Sequence, residues 1–421
     1  MRKLLLIIFL SACKLSAFAS HIVGGEFELL HLQDFQYRLN MILYFDLLNG
    51  QNGARDQAVT VNFYRKSDNA FLFSRTLQSG VDAAVEYSNP ACDPDNTTLS
   101  TSRIFYTADI TLDENDFSDP EGYYVSWERC CRNYSITNIF SDVPGTGISA
   151  GQTFYLEFPP VTINGEPFIN STPRLFPPLR DFACINQLYY TDFGGIDDDG
   201  DSLVYSLTIP YSTVDTQNAF PASPNPGPYP EIVWREGFGL DNVIQGDPEL
   251  AITERGVLTV TPQFTGLYVF AVKVEEYRDG VKHGEMRRDF QMLVISDCGA
   301  NGEPSVLARE QGSSDFYQEG TTLDFSVDDD DKCIDILVTD RLTGEGRDTL
   351  SNVSVRAVPL NFNAELEGIE IDFSQNVTIE NELDTARFTV CFPNCPYTRS
   401  GFYQIGIIGF DDACPQPALD T

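Results

Sequence analysis

The side chains best suited to chemistry form an acidic stretch, Asp197-Asp198-Asp199-Gly200-Asp201, directly before an apolar strand pattern. Alternate carboxylates at Asp197, Asp199 and Asp201 can face one point, and Gly200 permits a tight turn. Carboxylate oxygens are ligands that Ca²⁺ prefers, and carboxylates this close repel one another unless a cation or solvent screens them. The stretch therefore predicts a Ca²⁺ site, with a solvated acidic turn as the alternative.

Acidic side chains near the end of a later strand are weaker candidates for the same cation: Glu275, Glu276 and Asp279. The stretch from Asp197 does not follow the EF-hand pattern, because its twelfth residue is Thr208 instead of glutamate. A second acidic run, at residues 328–331, is interpreted as a solvated turn, because consecutive carboxylates cannot all face one ion, and weak cation binding is the alternative.

Catalytic motifs are incomplete in the sequence. Residues 22–25 (IVGG) resemble the start of a trypsin-like protease, but Leu203 and Val204 follow Ser202 where that family has glycines, and no histidine is suitably spaced. The sequence also lacks a nucleophile elbow, a zinc-binding HExxH motif and a phosphate-binding loop. It therefore predicts a non-enzymatic protein, and a secreted hydrolase with paired carboxylates is a less favoured alternative.

Aromatic residues make up 12% of the chain, so a carbohydrate-binding module is a further alternative. The candidate sugar-stacking residues are Trp127, Trp234, Tyr189 and Tyr190. Trp127 continues the strand alternation that precedes it, and a structural position is favoured for all four side chains.

Residues 1–19 have the pattern of a secretory signal peptide, with a basic start, an apolar run at 4–10 and a cleavage site after Ala19. Residues 10–13 (LSAC) also match a bacterial lipobox, so a lipid anchor at Cys13 is the alternative. Both predict a secreted protein at the cell surface. The apolar run is too short to span a membrane and no second one follows, so no transmembrane segment is predicted.

The chain has ten cysteines, of which Cys13 lies in the predicted signal. The others are disulfide candidates, because an oxidising compartment favours disulfides over metal thiolates. They are Cys92, Cys130, Cys131, Cys184, Cys298, Cys333, Cys391, Cys395 and Cys414. Since a ring between neighbouring residues is strained, Cys130 and Cys131 are expected to reach different partners, such as Cys92 and Cys184.

The composition excludes one class of partner. With 62 acidic and 27 basic side chains, the formal net charge of −35 repels phosphate backbones, so no nucleic acid is expected to bind. A hydrophobic content of 42% is that of a chain with real cores. An unidentified surface, glycan or protein is the expected ligand.

Strands must position these groups, because apolar residues alternate with polar ones in stretches at 35–45, 59–63, 154–158 and 203–209. Short strands punctuated by 31 glycines and 24 prolines indicate the all-β class.

A G-x-Y opening recurs at Gly122, Gly266 and Gly401, at intervals typical of sandwich domains. The repeat predicts tandem Ig-like β-sandwich domains, in which a tyrosine ties down the chain between sheets. The predicted domains cover 20–165, 166–298 and 299–421. Return strands are predicted at 154–158 and 290–294. No counterpart follows Gly401, so the third domain is predicted to lack its last strand, as expected for a piece of a longer protein.

Seven motifs in order resemble a known group of proteins. They are SHIVGGE at 20–26, CCRN at 130–133, NSTP at 170–173, DDDGDSL at 197–203, VEEYRDG at 274–280, RDFQ at 288–291 and DDACP at 411–415. Together they resemble large secreted surface proteins of Bacteroidota, of the gliding-motility-associated, type IX secretion kind. The resemblance implies Ig-like, PKD-like or cadherin-like modules in adhesion or surface architecture, with further domains missing after residue 421. In cadherin-like repeats an Asp-Gly-Asp turn often binds Ca²⁺.

Overall fold

The structure is a computed structural model. It describes residues 22–50, 55–86, 99–146, 148–178, 182–214, 224–296, 305–317, 333–339, 351–359, 374–379, 385–391, 405–411 and 419–420. These residues consist of strands, turns and loops, which confirms the predicted all-β class. Within them, no helix is long and apolar enough to cross a membrane. The chain divides into two compact units, with the boundary after Ser296.

The first unit contains the strands β1 to β20. Their bounds are β1 (Ile22–Gln33), β2 (Gln36–Asp46), β3 (Ala58–Arg65), β4 (Phe71–Ala84), β5 (Thr101–Thr111), β6 (Tyr123–Arg129), β7 (Asp142–Val143), β8 (Ile148–Ser149), β9 (Gln152–Phe158), β10 (Thr162–Ile163), β11 (Glu166–Pro167), β12 (Arg174–Leu175), β13 (Ala183–Cys184), β14 (Tyr189–Asp192), β15 (Gly195–Ile196), β16 (Ser202–Thr208), β17 (Ala251–Ile252), β18 (Val257–Val260), β19 (Gly266–Arg278) and β20 (Val281–Ile295). The strands predicted from alternation are confirmed as β2, β3, β9 and β16, and the return strands as β9 and β20.

Eight of these strands form a closed ring in the order β1-β2-β5-β4-β3-β6-β9-β20, and β20 pairs again with β1. The closing contact places Gly25 of β1 opposite Asp289 of β20. β20 also pairs with β9, at Glu285 and Met286, and it forms a long antiparallel pair with β19, which in turn pairs with β16. The ring thus joins the first strand of the unit to its last.

Two glycines make the closing contact possible. A Cβ atom on Gly24 would lie 2.0 Å from the backbone oxygen of Asp289, and one on Gly25 would lie 2.5 Å from that of Ile42. Since backbone atoms cannot give way as a flexible side chain can, any side chain here would push β1 away from β20 or from β2. The IVGG stretch is therefore explained by sheet closure, and its resemblance to a protease start is incidental.

One hydrophobic core extends through the first unit, from Ile22 and Phe27 on β1 to Phe290 and Val294 on β20. The predicted division into separate sandwiches at 20–165 and 166–298 is therefore wrong. Its physical reason is long-range pairing: β20, from the second predicted domain, fills the gap between β1 and β9 of the first. No pattern in the sequence predicted that β1 and β9 would both pair with β20.

The predicted tyrosine ties are present in altered form. The hydroxyl of Tyr268 donates to the carbonyl of Phe264 at 3.0 Å, as the G-x-Y pattern predicts. At the first opening the tie is made by Tyr123, whose hydroxyl donates to the carbonyl of Asp116 at 2.9 Å. The hydroxyl of Tyr124 donates instead to Oδ1 of Asn69. The third opening, at Gly401, lies outside the described residues.

The second unit contains two sheets that share one core. Its strands are β21 (Ser305–Glu310), β22 (Cys333–Thr339), β23 (Ser351–Pro359), β24 (Ser374–Ile379), β25 (Ala386–Cys391), β26 (Ile405–Phe410) and β27 (Leu419–Asp420). The sheet β21-β22-β25 and the sheet β24-β23-β26-β27 meet through Ile336, Val353 and Phe388. The two residues of β27 pair with β26, and the absence of a longer last strand from this domain stays a prediction.

Candidate functional site

The turn between β15 and β16 is built by the first of the predicted ligands. The Oδ1 atom of Asp197 accepts hydrogen bonds from the backbone N–H groups of Asp199 and Asp201, at 2.9 and 3.0 Å. Gly200 has a φ of +82°, a conformation that glycine adopts without strain. Asp197 therefore shapes the turn, and its second carboxylate oxygen is free for another purpose.

Strand alternation decides which acidic residue of β19 faces this turn. Glu276 points inward and is 1% exposed. Glu275 points to the opposite side, where its carboxylate contacts the amino groups of Lys282 at 2.6 Å and Lys273 at 3.3 Å. Neighbouring residues of a strand face opposite sides of the sheet, so only one of the two can reach the turn.

Asp197, Asp201 and Glu276 come together and are called the acidic cluster below. Each contributes one carboxylate oxygen to a group whose members all lie within 4.8 Å of one another. The predicted site is thus brought together in part, from the turn and from β19.

The other predicted ligands lie elsewhere. Asp199 turns away from the acidic cluster and accepts a hydrogen bond from the backbone N–H of Ser171. Glu275 is on the opposite face of β19, and Asp279 occupies the tight turn between β19 and β20 with a φ of +54°. The second acidic run, at residues 328–331, lies outside the described residues.

Two polar side chains hold the acidic cluster in place. The guanidinium of Arg278 donates from Nε and Nη2 to both carboxylate oxygens of Asp201, each at 2.7 Å. It also donates to Oδ1 of Asn170 at 2.8 Å, while Nδ2 of Asn170 donates to Oε1 of Glu276 at 2.6 Å. Every oxygen named here has one donor, which fixes both carboxylates in orientation.

Two oxygens of the acidic cluster are left over. The Oε2 atom of Glu276 and the Oδ2 atom of Asp197 are buried and accept no hydrogen bond from any donor of the described residues. Space for the Glu276 carboxylate is provided by Gly284, its cross-strand neighbour on β20. A Cβ atom at position 284 would lie 3.0 Å from Oε2 of Glu276.

Burial and proximity separate the proton affinities of the cluster. Burial raises the pKa of Glu276 to about 9, and the neighbouring Asp201 adds to the increase. Burial also acts to raise the pKa of Asp201, but its hydrogen bonds to Arg278 outweigh this and lower it. Burial raises the pKa of Asp197 as well. Without a cation, Glu276 therefore holds a proton at neutral pH.

Because Glu276 holds a proton at neutral pH, the stability of the metal-free protein is expected to depend on pH. Because the pKa of Glu276 lies near 9 in the folded state and near 4.5 when unfolded, its contribution is full in acid and is lost as pH rises through about 9. One such proton gives a slope of about −1.4 kcal/mol per pH unit in the free energy of unfolding. Comparing urea unfolding of the native protein with Glu276→Gln at pH 6, 7 and 8 should show this slope only in the native protein.

The charged groups that interact with Glu276 are Asp197, Asp201 and Arg278, and His283 interacts with Asp201 and Arg278. Glu275→Gln is the matched control, because the lysine contacts of Glu275 lower its pKa against the effect of burial and keep its titration in acid. An equal slope in the native protein and in Glu276→Gln would contradict the assignment of the proton to Glu276.

Two buried ion pairs connect motifs that are far apart in the sequence. Arg288 of β20 and Glu26 of β1 are 0% and 1% exposed, with Nη2 and Oε1 2.8 Å apart. Arg132 and Asp289 form a second pair, in which Nη1 and Nη2 of the guanidinium donate to the two carboxylate oxygens. The SHIVGGE, CCRN and RDFQ motifs therefore meet where the ring closes, and ion pairing explains their charged residues.

The cysteines differ from their prediction. Cys130 and Cys131 form a disulfide with each other, so the expectation that they reach different partners is wrong. The Cα atoms of these two neighbouring residues lie 3.0 Å apart, and the disulfide closes a ring between them. Cys184 and Cys333 are also disulfide-bonded. Of the remaining disulfide candidates, the side chains lie outside the described part of the chain: Cys92, Cys298, Cys391, Cys395 and Cys414.

The candidate sugar-binding aromatics do not form an exposed row. Trp127 and Tyr189 are 6% and 5% exposed and belong to the core of the first unit. Trp234 is half-buried and packs against that core, and Tyr190 is also half-buried. Trp127, Tyr189 and Trp234 therefore act in packing.

Sequence reasoning missed three residues around the acidic cluster: Asn170, Arg278 and Gly284. For Arg278 a signal existed, because it stands two residues after Glu276 and period-two alternation places both on one face. For Asn170 and Gly284 there was none, because their positions depend on a distant loop and on the register between β19 and β20.

Comparisons with known proteins identify no family for this chain. No protein-family model matches it, and no curated protein matches it either. Among solved structures it is similar to the native conformation of E. coli alpha-2-macroglobulin, with 10% identity and a TM-score of 0.17. That similarity covers 96% of this chain and 22% of the macroglobulin chain, so this chain spans less than a quarter of that protein. So low a TM-score carries no argument about fold or function.

Proposed function

We propose that this chain is a non-enzymatic extracellular protein that acts as a structural or adhesive element of a cell surface. The observation that carries this proposal is the state of its cysteines. Cys130, Cys131, Cys184 and Cys333, whose side chains the structure describes, are all disulfide-bonded. Disulfides persist outside the reducing cytosol, in the compartment to which the predicted signal at residues 1–19 would send the chain.

The use of buried charge supports a structural role. Arg288 with Glu26, and Arg132 with Asp289, join strands across the closing edge of the ring. Asp201 and Glu276 of the acidic cluster have the split proton affinities of an acid–base pair. However, Glu276 is 1% exposed and cannot meet a substrate. These buried charged groups therefore have a structural role in the first unit.

The second unit and the motifs complete the proposal. Two sheets around one core suit an Ig-like or PKD-like sandwich, a common module of surface proteins. A link to gliding motility and type IX secretion rests on the ordered motifs alone. The expected ligand is a surface, a glycan or a protein.

Mass spectrometry of the protein isolated from its own cells tests this proposal. Cells are lysed in an alkylating agent, so that any free thiol is labelled before it can oxidise. We expect an N-terminus at Ser20, or a lipid-modified Cys13, and no label on Cys130, Cys131 or Cys184. Labelled thiols together with an intact Met1 would place the protein in the cytosol and contradict the proposal.

A further inference from the structure

The acidic cluster has a property that does not depend on where the protein works. We infer that Asp197, Asp201 and Glu276 bind one divalent cation of the oxygen-preferring kind, Ca²⁺, which fastens the 197–201 turn to β19. Of the three aspartates expected as main ligands, Asp199 lies outside the site, and Glu276, a weaker candidate from the sequence, takes its place.

The observation that points to a ligand is the unpartnered oxygen of Glu276. This side chain is 1% exposed, and its Oε2 atom accepts no hydrogen bond from a donor of the described residues, so that in the absence of a cation Glu276 is neutralised by a proton shared with Asp201. A carboxylate buried in this way must be neutralised by a proton or by a cation. Gly284 leaves open the space over Oε2 that any other residue would fill.

Charge and distance select a divalent cation. Three carboxylates and one guanidinium, that of Arg278, leave two negative charges, which one divalent ion neutralises. The three oxygens lie within 4.8 Å of one another, a spread that Ca²⁺ spans with bonds of about 2.3–2.6 Å. Mg²⁺ requires about 2.0–2.1 Å in a strict octahedron, so this spread suits it less well.

Neighbouring side chains orient the carboxylates of the acidic cluster before a cation binds. Asn170 holds Oε1 of Glu276 and Arg278 holds Asp201, so two of the three ligands are oriented before a cation arrives. The loop that carries Asn170 also binds the ring, because the hydroxyl of Thr172 accepts a hydrogen bond from the backbone N–H of Leu29 on β1. A cation here would therefore tie together the turn, β19 and the edge of β1.

Calorimetric titration of the full chain with CaCl₂, after treatment with EDTA, tests the inference. Other acidic surfaces of this chain can also bind Ca²⁺, so the test depends on a matched pair of variants. Glu276→Gln removes the buried ligand charge, while Glu275→Gln makes the same change one residue away on the opposite face. We expect Glu276→Gln to weaken the tightest Ca²⁺ site at least about tenfold and Glu275→Gln to leave it unchanged.

Thermal unfolding gives an independent readout. Ca²⁺ at about 100 times its dissociation constant should raise the Tm of the native protein and of Glu275→Gln by roughly 5 °C. That shift should be lost in Glu276→Gln. Asp197→Asn serves if Glu276→Gln fails to fold, because asparagine retains the Oδ1 acceptor that shapes the turn and replaces the anionic Oδ2 ligand by an amide NH2 group.

Two results would overturn the inference. One is native protein that neither binds Ca²⁺ nor shifts its Tm at 10 mM, a concentration about tenfold above the weakest extracellular sites. The other is equal binding by the native protein, Glu276→Gln and Asp197→Asn, which would place the ion elsewhere. Neither result bears on the disulfides, so the proposed function would remain open to its own test.

Discussion

Replacing Arg288 by methionine should lower the free energy of unfolding of the first unit by about 3–5 kcal/mol. Methionine fills a similar volume, but it leaves the carboxylate of Glu26, 1% exposed, without its cationic partner. The hydroxyl of Tyr44, which donates to Glu26 at 2.8 Å, cannot neutralise the charge alone. The carbonyl of Phe176 would also lose the donor that Arg288 provides.

Urea unfolding followed by tryptophan fluorescence measures this loss. Both tryptophans of the chain, Trp127 and Trp234, lie in the first unit, so the signal reports that unit alone. Arg38→Met is the matched control, because its partner Asp109 is 59% exposed and the pair lies at the surface. The control should lose about 0–1 kcal/mol. Equal losses in the two variants would contradict a buried, closing ion pair.

A double variant separates the pair from its individual members. In Glu26→Gln combined with Arg288→Met, no charge is left buried, so part of the stability lost in Arg288→Met should return. Glu26→Gln alone leaves the guanidinium uncompensated and should also be strongly destabilising. Additive losses in the double variant would mean that the two side chains act independently.

Gly24→Ala should cost about 3 kcal/mol through the closing contact of the ring. Its Cβ atom would lie 2.0 Å from the backbone oxygen of Asp289, so β1 must move away from β20. Gly239→Ala is the control, because a Cβ atom there meets nothing within 4 Å and the change should stay within about 0.5 kcal/mol. The same fluorescence experiment compares both variants, and a Gly24→Ala variant as stable as the control would mean that the ring is not closed here.

Local patterns in the sequence predicted the strands and part of the site. Alternation over residues 35–45 became β2, because its side chains meet the core directly. The acidic stretch supplies Asp197 and Asp201 to the acidic cluster, whereas Asp199 lies outside it and accepts a hydrogen bond from the backbone of Ser171. Period-two geometry could have preferred Glu276 over Glu275 if the inward face of β19 had been known.

Long-range pairing accounts for what could not be predicted. The ring closes through Gly25 and Asp289, which are far apart in the chain, and neither residue carries a local mark of that contact. The G-x-Y repeat indicated separate domains because each copy begins a strand in the same way. Only the placement of β20 between β1 and β9 shows that the first two copies belong to one unit.

The most direct test of the proposed function is the accessibility of the protein on intact cells. Cells that produce the chain are treated with a membrane-impermeant, amine-reactive biotin reagent, and a cytosolic protein serves as the control for leakage. We expect labelled lysines from the first unit, for example Lys66 and Lys282, while the cytosolic control stays unlabelled. A chain that is labelled only after the cells are broken would contradict a role at the cell surface.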